Sequence, residues 1–146
     1  MEASDGQYCA VRKKLSIPSH SSGWSESLGW VSLEEAKKSK KPALVFIHNP
    51  KCPRCRKLKA RLVSHPGVRK LSANFAMVHL TPEEIPAEER DVFTPDGKYI
   101  PRILFFDANF NFLPEVKGSE PTYQYFYSEP NNIEINMRRV LYMVKD

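Results

Sequence analysis

The sequence predicts an α/β sandwich, and three observations predict it. Short apolar runs at Ala43–His48, Phe75–Leu80 and Arg102–Phe106 alternate with segments of helical period. A further run, Phe110–Val116, follows the turn residues Asp107-Ala108-Asn109 and is expected to pair back as a hairpin. An amphipathic helix over Pro130–Val144 then closes the chain.

Residues 1–23 read as a flexible N-terminal tail, because Ser, Gly, His and Pro dominate Ser16–Gly23 and no period is visible. The folded domain is expected over 24–146, starting near Trp24. Leu33–Lys41 reads as a short helix with Ser32 as N-cap and Glu35 at the capping-box position, ended by Pro42. Ala43–His48 has no polar alternation, so it reads as a strand buried on both faces. Pro53–Ser64 reads as a helix whose inner face carries Cys55, Leu58 and Leu62. Its outer face carries Arg54, Arg56, Lys57, Lys59 and Arg61 and reads as a solvated face, with Arg54, between the cysteines, as the exception.

His65-Pro66-Gly67 stops that helix, and a helical turn is expected at Val68–Ser72 before the strand Phe75–Leu80. Glu83–Asp91 is acidic and reads as a helical turn, followed by the turn signal Thr94-Pro95-Asp96-Gly97. Ile100-Pro101 leads into the strand Arg102–Phe106. The aromatic stretch Tyr123, Tyr125, Phe126 and Tyr127 reads as a packed lid rather than a client-binding patch. In the last helix Ile133, Met137, Val140, Leu141 and Val144 share the inward face. No internal repeat is present.

Composition limits the function classes. A chain of 146 residues with 41% hydrophobic and 11% aromatic content supplies one proper core. Three cysteines are too few for a disulfide scaffold. A net charge of +5, from 22 basic and 17 acidic residues, does not by itself argue for nucleic acid, and no such binding motif is found. No apolar run approaches a membrane span. Met1-Glu2-Ala3-Ser4-Asp5 is polar and acidic, unlike a secretory leader. That start fits a cytosolic protein or a mature domain without its leader.

The chemistry centres on Cys52-Pro53-Arg54-Cys55, directly after the apolar strand. A strand, a short turn and a C-x-x-C opening a helix read as a dithiol redox site. Cysteines at i and i+3 in a first helical turn are close enough to bridge. The first thiol faces the unsatisfied N–H groups of the helix start, which favour its thiolate, the nucleophile of disulfide exchange. Arg54, Lys51 and His48 are the candidates to tune its charge, although His48 fits capping of a strand end equally well. The basic neighbours lead to an expected pair more oxidising than thioredoxin. A structural zinc site needs four ligands, and the chain has no second C-x-x-C or C-x-x-H, so no metal and no cofactor are expected. Cys9, in the tail, reads as an incidental thiol. Pro101 alone fits an ordinary trans proline opening a strand.

The order of these elements, with Lys41-Pro42-Ala43-Leu44-Val45-Phe46-Ile47-His48, Tyr99-Ile100-Pro101-Arg102-Ile103-Leu104-Phe105 and Tyr123-Gln124-Tyr125-Phe126-Tyr127, resembles the small endoplasmic-reticulum thioredoxin-domain proteins of the anterior gradient group. The likeness runs from about Gly23 to the C-terminus. It implies a thioredoxin-like three-layer sandwich, a central mixed β-sheet flanked by helices. It also implies an endoplasmic-reticulum thiol–disulfide oxidoreductase that forms, reduces or isomerises disulfides in client proteins. By the same resemblance Cys52 is the nucleophile, Cys55 the resolving thiol and Pro101 a cis-proline beside them, with the Ile100 backbone pairing an extended client. Implied partners are client proteins with thiols or disulfides, and glutathione or another oxidoreductase for recycling. Neither nucleic acid nor a membrane is implied, and a monomer is expected.

The departures are specific. Lys51 and Pro53 stand where the family usually has Trp and Gly. Phe46 occupies the place of thioredoxin's buried carboxylate, so proton transfer from the second thiol falls to water or His48. The end Lys145-Asp146 is not a complete retention signal, so the endoplasmic-reticulum lumen rests on resemblance, with the cytoplasm as alternative. Two other functions compete: a chaperone-like client-binding module with weak redox activity, and a cytosolic reductase or redox sensor.

Overall fold

The computed structural model describes residues 28–144. The expected tail, Cys9, the domain start at Trp24 and the Lys145-Asp146 end lie outside the described residues. Helix α1 spans Leu33–Lys38 and opens on a complete capping box, in which Ser32 Oγ accepts the Glu35 amide at 3.1 Å and Glu35 accepts the Ser32 amide at 3.0 Å. It stops three residues before Lys41, because Ser39 caps it and Lys40 takes a left-handed φ of 63°.

Strand β1, Ala43–Ile47, lies at the centre of a mixed sheet. It pairs in parallel with β2, Ala76–Leu80, and antiparallel with β3, Arg102–Phe106. All three strands are buried throughout, as their mostly apolar runs require when both faces are covered, with His79 and Arg102 the buried polar residues among them. Helix α2, Pro53–Ser64, α3, Pro66–Leu71, and α5, Pro130–Val144, cover one face. Their Leu58, Leu62, Val68, Leu71, Ile133, Met137 and Val140 meet Leu44, Phe46, Met77, Ile103 and Phe105 of the sheet. The other face turns Val45, Ile47, Val78, Leu104 and Phe106 toward Leu33 and Ala36 of α1 and toward Ile85 and Phe93. The period-2 alternation of the strands thus builds two cores from one sheet. Leu141 and Val144 are only partly buried at the edge of the first core.

His65 ends α2 and starts α3 at once, so the expected helical turn at Val68–Ser72 begins earlier, at Pro66, with a tight turn over Ser72–Asn74 after it. The acidic Glu83–Asp91 segment is two tight turns, Pro82–Glu84 and Ala87–Glu89, leading into α4, Arg90–Phe93. The expected strand Phe110–Val116 does not form. Asp107 Oδ1 accepts the amides of Asn109 and Asn111 at 2.9 Å each, Phe110 takes a φ of 62°, and its ring stacks on Phe106 at 4.3 Å. The chain does fold back, but only Phe112 bridges Phe106, and Leu113 donates to the Phe105 carbonyl at 2.9 Å. Pro114, which has no N–H, then ends the pairing.

Candidate active site

The site is assembled where β1 leaves the sheet. His48 N still donates to the Leu80 carbonyl at 3.0 Å, and the chain then turns through Asn49-Pro50-Lys51. Asn49 holds this turn from both sides. Its carbonyl accepts the Cys52 amide at 2.9 Å, and its Oδ1 accepts the Lys51 amide at 2.9 Å. Cys52 follows as the N-cap of α2 with extended backbone (φ −86°, ψ 115°), and Pro53 fills the first helical position, where no N–H is needed.

The Cys52 side chain does what a Ser or Asp does at other helix starts: its Sγ accepts the backbone N–H of Cys55 at 3.2 Å. An N–H aimed at this sulfur, at the positive end of a twelve-residue helix, favours negative charge there. Cys52 is half-buried and within reach of solvent, whereas Cys55 points inward and is only 2% exposed. Burial, reinforced by the Cys52 sulfur beside it, pushes the Cys55 thiol up to about 12, with an Asn49 backbone hydrogen bond opposing the shift. The two sulfurs are therefore unequal: one accessible and capped, the other enclosed and held as a thiol.

Basic residues flank the first sulfur in the sequence. Lys51 and Arg54 are exposed. The Arg54 guanidinium lies 5.9 Å from the centroid of the Phe126 ring, and Arg56 Nη1 donates to the Pro50 carbonyl at 2.8 Å. Phe126 is brought there by β3: Arg102 bridges Phe126, and the Ile103 amide donates to the Tyr125 carbonyl at 2.9 Å. The aromatic stretch is therefore part lid and part rim, with Tyr125 and Tyr127 buried and Tyr123 49% exposed.

Ile47 faces Arg102 in the sheet register, so Ile100 and Pro101 lie at the end of the sheet where β1 enters the dithiol turn. The Ile100–Pro101 bond is cis, with Pro101 buried and Ile100 half-buried. His48 is turned inward, 3% exposed, with its Nε2 3.1 Å from Nδ1 of His79 on β2. Both rings lie on the side of the sheet that α2 covers, since they share strand parity with Phe46 and Met77. Phe46 packs against the His48 ring at 5.4 Å.

The structure thus brings Cys52, Cys55, Arg54 and Lys51 onto one turn and helix start, with Ile100 and Pro101 at the same sheet end and His48 in the interior. Sequence reasoning missed His79, whose signal was a lone polar residue inside Ala76–Leu80. It also missed the network behind Pro101. There the Tyr99 hydroxyl donates to Asp96 and accepts the Tyr125 amide at 3.0 Å, and Arg102, 1% exposed, donates to the Tyr99 carbonyl at 2.7 Å. Burial lowers the Arg102 guanidinium from its usual range and raises the Tyr99 hydroxyl. Among the described residues no three His, Cys, Asp or Glu side chains gather to hold a metal ion. No helix there is long and apolar enough to cross a membrane.

Residues 31–108 match the family model described as thioredoxin-like. Anterior gradient protein 2-B of Xenopus laevis is 30% identical over 144 residues, covering 92% of this chain and 85% of that protein. Anterior gradient protein 3 of Mus musculus is 29% identical over 146 residues, covering 93% of this chain and 86% of that one. Among solved structures, a thioredoxin from Thermus thermophilus superimposes with a TM-score of 0.50 at 21% identity, over 74% of this chain and 79% of that one. That likeness bears on the fold alone. With a three-strand mixed sheet between helices and a matching family model over more than half its length, the chain belongs to the thioredoxin-like family, together with the anterior gradient proteins.

Proposed function

We propose that the protein is a thiol–disulfide oxidoreductase acting on client proteins through Cys52 and Cys55. The family supports a role of the disulfide-oxidoreductase kind. The observation that carries the mechanism is the inequality of the two sulfurs: Cys52 caps the helix it opens and is reachable, while Cys55 is enclosed.

In the reducing direction the Cys52 thiolate attacks a client disulfide. A Cys52–client mixed disulfide forms and one client sulfur leaves as thiolate. Cys55 then gives up its proton and attacks Cys52 Sγ. The second client thiolate leaves, and two electrons have passed to the client. In the oxidising direction a client thiolate attacks Cys52 of the Cys52–Cys55 disulfide, and Cys55 leaves and takes a proton; a second client thiolate then attacks the bound client sulfur, closing the client disulfide and releasing Cys52 as thiolate. A thiol held near 12 needs an acceptor. With Phe46 at the inner position, we assign that proton to His48, which pairs with His79 on the α2 side of the sheet and directly precedes Asn49, the backbone partner of Cys55.

Glutathione or another oxidoreductase recycles the pair in this reading, and the endoplasmic-reticulum lumen is the compartment that family membership favours. The rival reading, a client-binding module with weak redox activity, draws on the exposed Tyr123. Two variants separate them. Cys55→Ser should trap mixed disulfides with clients, visible as thiol-cleavable adducts, and Cys52→Ser should trap none and catalyse nothing. Equal trapping by both variants, or full turnover without Cys52, would contradict the assignment.

A further inference from the structure

Helix α2 carries Arg54, Arg56, Lys57, Lys59 and Arg61 and no acidic residue. These five match the whole net charge of +5, so the rest of the chain is balanced. The balance is divided in part: on the α2 side Glu129 and Glu134 pair with Arg61, His65 and Arg138, away from the helix start. Glu83, Glu84, Glu88, Glu89 and Asp91 belong to the segment that packs through Ile85 and Phe93 on the opposite face of the sheet.

Within α2 the charges nearest the sulfurs have uncharged partners. Arg61, at the far end, meets Glu129 at 3.0 Å. Arg54 and Arg56, on either side of Cys55, are held instead by the Phe126 ring at 5.9 Å and by the Pro50 carbonyl at 2.8 Å. Both contacts position a guanidinium without cancelling its charge, and both side chains stay exposed, as do Lys51 and Lys57. The helix start that Cys52 caps thus carries a basic rim in which Arg54 and Arg56 are positioned, Arg54 by an aromatic ring.

We infer that this rim selects client polypeptides whose reacting cysteine is flanked by aspartate or glutamate. The inference rests on the oxidoreductase reading above and names its substrate class. Charge complementarity carries it: fields from exposed charges act over about 8 Å at physiological salt, enough to reach residues next to a sulfur bonded to Cys52. A polypeptide is the fitting polyanion, because Lys51, Arg54 and Arg56 flank a reacting thiol in sequence and Phe126 offers an apolar contact to Arg54.

The test uses the full chain with Cys52–Cys55 oxidised and two synthetic peptides. Each has one reduced cysteine, and they differ only in Glu or Lys at the flanking positions. The peptide thiolate forms the mixed disulfide with Cys52 and releases Cys55, and loss of peptide thiol is followed in time. The Glu peptide should react about tenfold faster at low salt, with the gap shrinking as the screening length falls to about 3 Å near molar salt. In Arg54→Glu and in Arg56→Glu/Lys57→Glu the ratio of the two rates should fall or reverse. Arg69→Glu, on α3, should leave the ratio as it is.

The salt dependence of the unaltered protein stands even if a rim variant fails to fold. Equal rates for both peptides at low salt would overturn the inference while leaving the oxidoreductase reading intact. No reaction with either peptide would overturn both. Rim variants that lose binding to phosphatidylserine vesicles or to a DNA oligonucleotide, with a flat peptide ratio throughout, would assign the rim to those surfaces instead.

Discussion

The two faces of the sheet are built from the same strands and do different things. On one face, α2 and α5 pack regular apolar stripes against Leu44, Phe46 and Phe105, and the dithiol, the buried histidine pair and the basic rim all lie on that side. On the other, α1, short turns and an aromatic cluster of Phe93, Phe106, Phe110 and Phe112 fill the space, beside the acidic Glu83–Asp91 segment. The difference teaches that the dithiol sits where one helix start meets one strand end, on a face that also carries a full apolar core, while the opposite face is packing alone. Substitutions on the two faces should therefore separate activity from folding.

The largest separation is expected at Cys52. Cys52→Ser should abolish client exchange while its thermal midpoint stays close to that of the unaltered protein, measured by peptide exchange and circular dichroism. Phe93→Ala is the converse: it empties a fully buried position on the far face and should cost about 3–5 kcal/mol by denaturant titration. Exchange per folded molecule should stay unchanged. A Phe93→Ala protein that is stable but inactive would show the faces to be coupled.

His48→Gln comes next. It should slow attack by Cys55 on the mixed disulfide by about 10²-fold at neutral pH, the usual range for a lost acid–base group. The rate should recover as pH rises toward the thiol's own range, whereas a merely structural lesion would slow attack equally at all pH values. Stopped-flow release of a fluorescent peptide reads this directly.

A smaller effect follows from the Cys55 thiol itself. Its folded value is raised by burial from 9.0 to about 12, so its contribution to stability is full below about 9 and is lost as pH rises toward 12. The unfolded chain releases that proton first. Tyr99, Tyr125 and Tyr127, also raised by burial, add to the same alkaline loss. Denaturation midpoints across this window should fall for the unaltered protein and fall less steeply for Cys55→Ala.

Local punctuation made much of this legible in the sequence. The bounds of α2 and α5 and of β3 stand as read, because Pro53, the His65-Pro66 stop and Pro130 act on their own neighbours. The C-x-x-C placed both sulfurs, and the apolar inner face of the helix told Cys55 from Cys52. What was not legible depends on distant partners. His79 meets His48 across 31 residues of sequence, and no spacing rule joins them. Phe110–Val116 has the composition of a strand, yet the Asp107 side chain and the Phe106–Phe110 stack turn it into a loop. Arg54 was legible as a charge beside the cysteines, but not its contact with Phe126, which β3 carries to it.

The central claim is that Cys52 and Cys55 form one reversible two-electron couple, made more oxidising by the helix start and the charges beside it. Equilibrating the protein in graded glutathione buffers and counting free thiols by mass tests it most directly. The account predicts a single two-electron transition with loss of both thiols, at a potential above roughly −270 mV, thioredoxin's value, and below roughly −120 mV, that of DsbA. A pair that never closes, or one that titrates at or below the thioredoxin value, would contradict it.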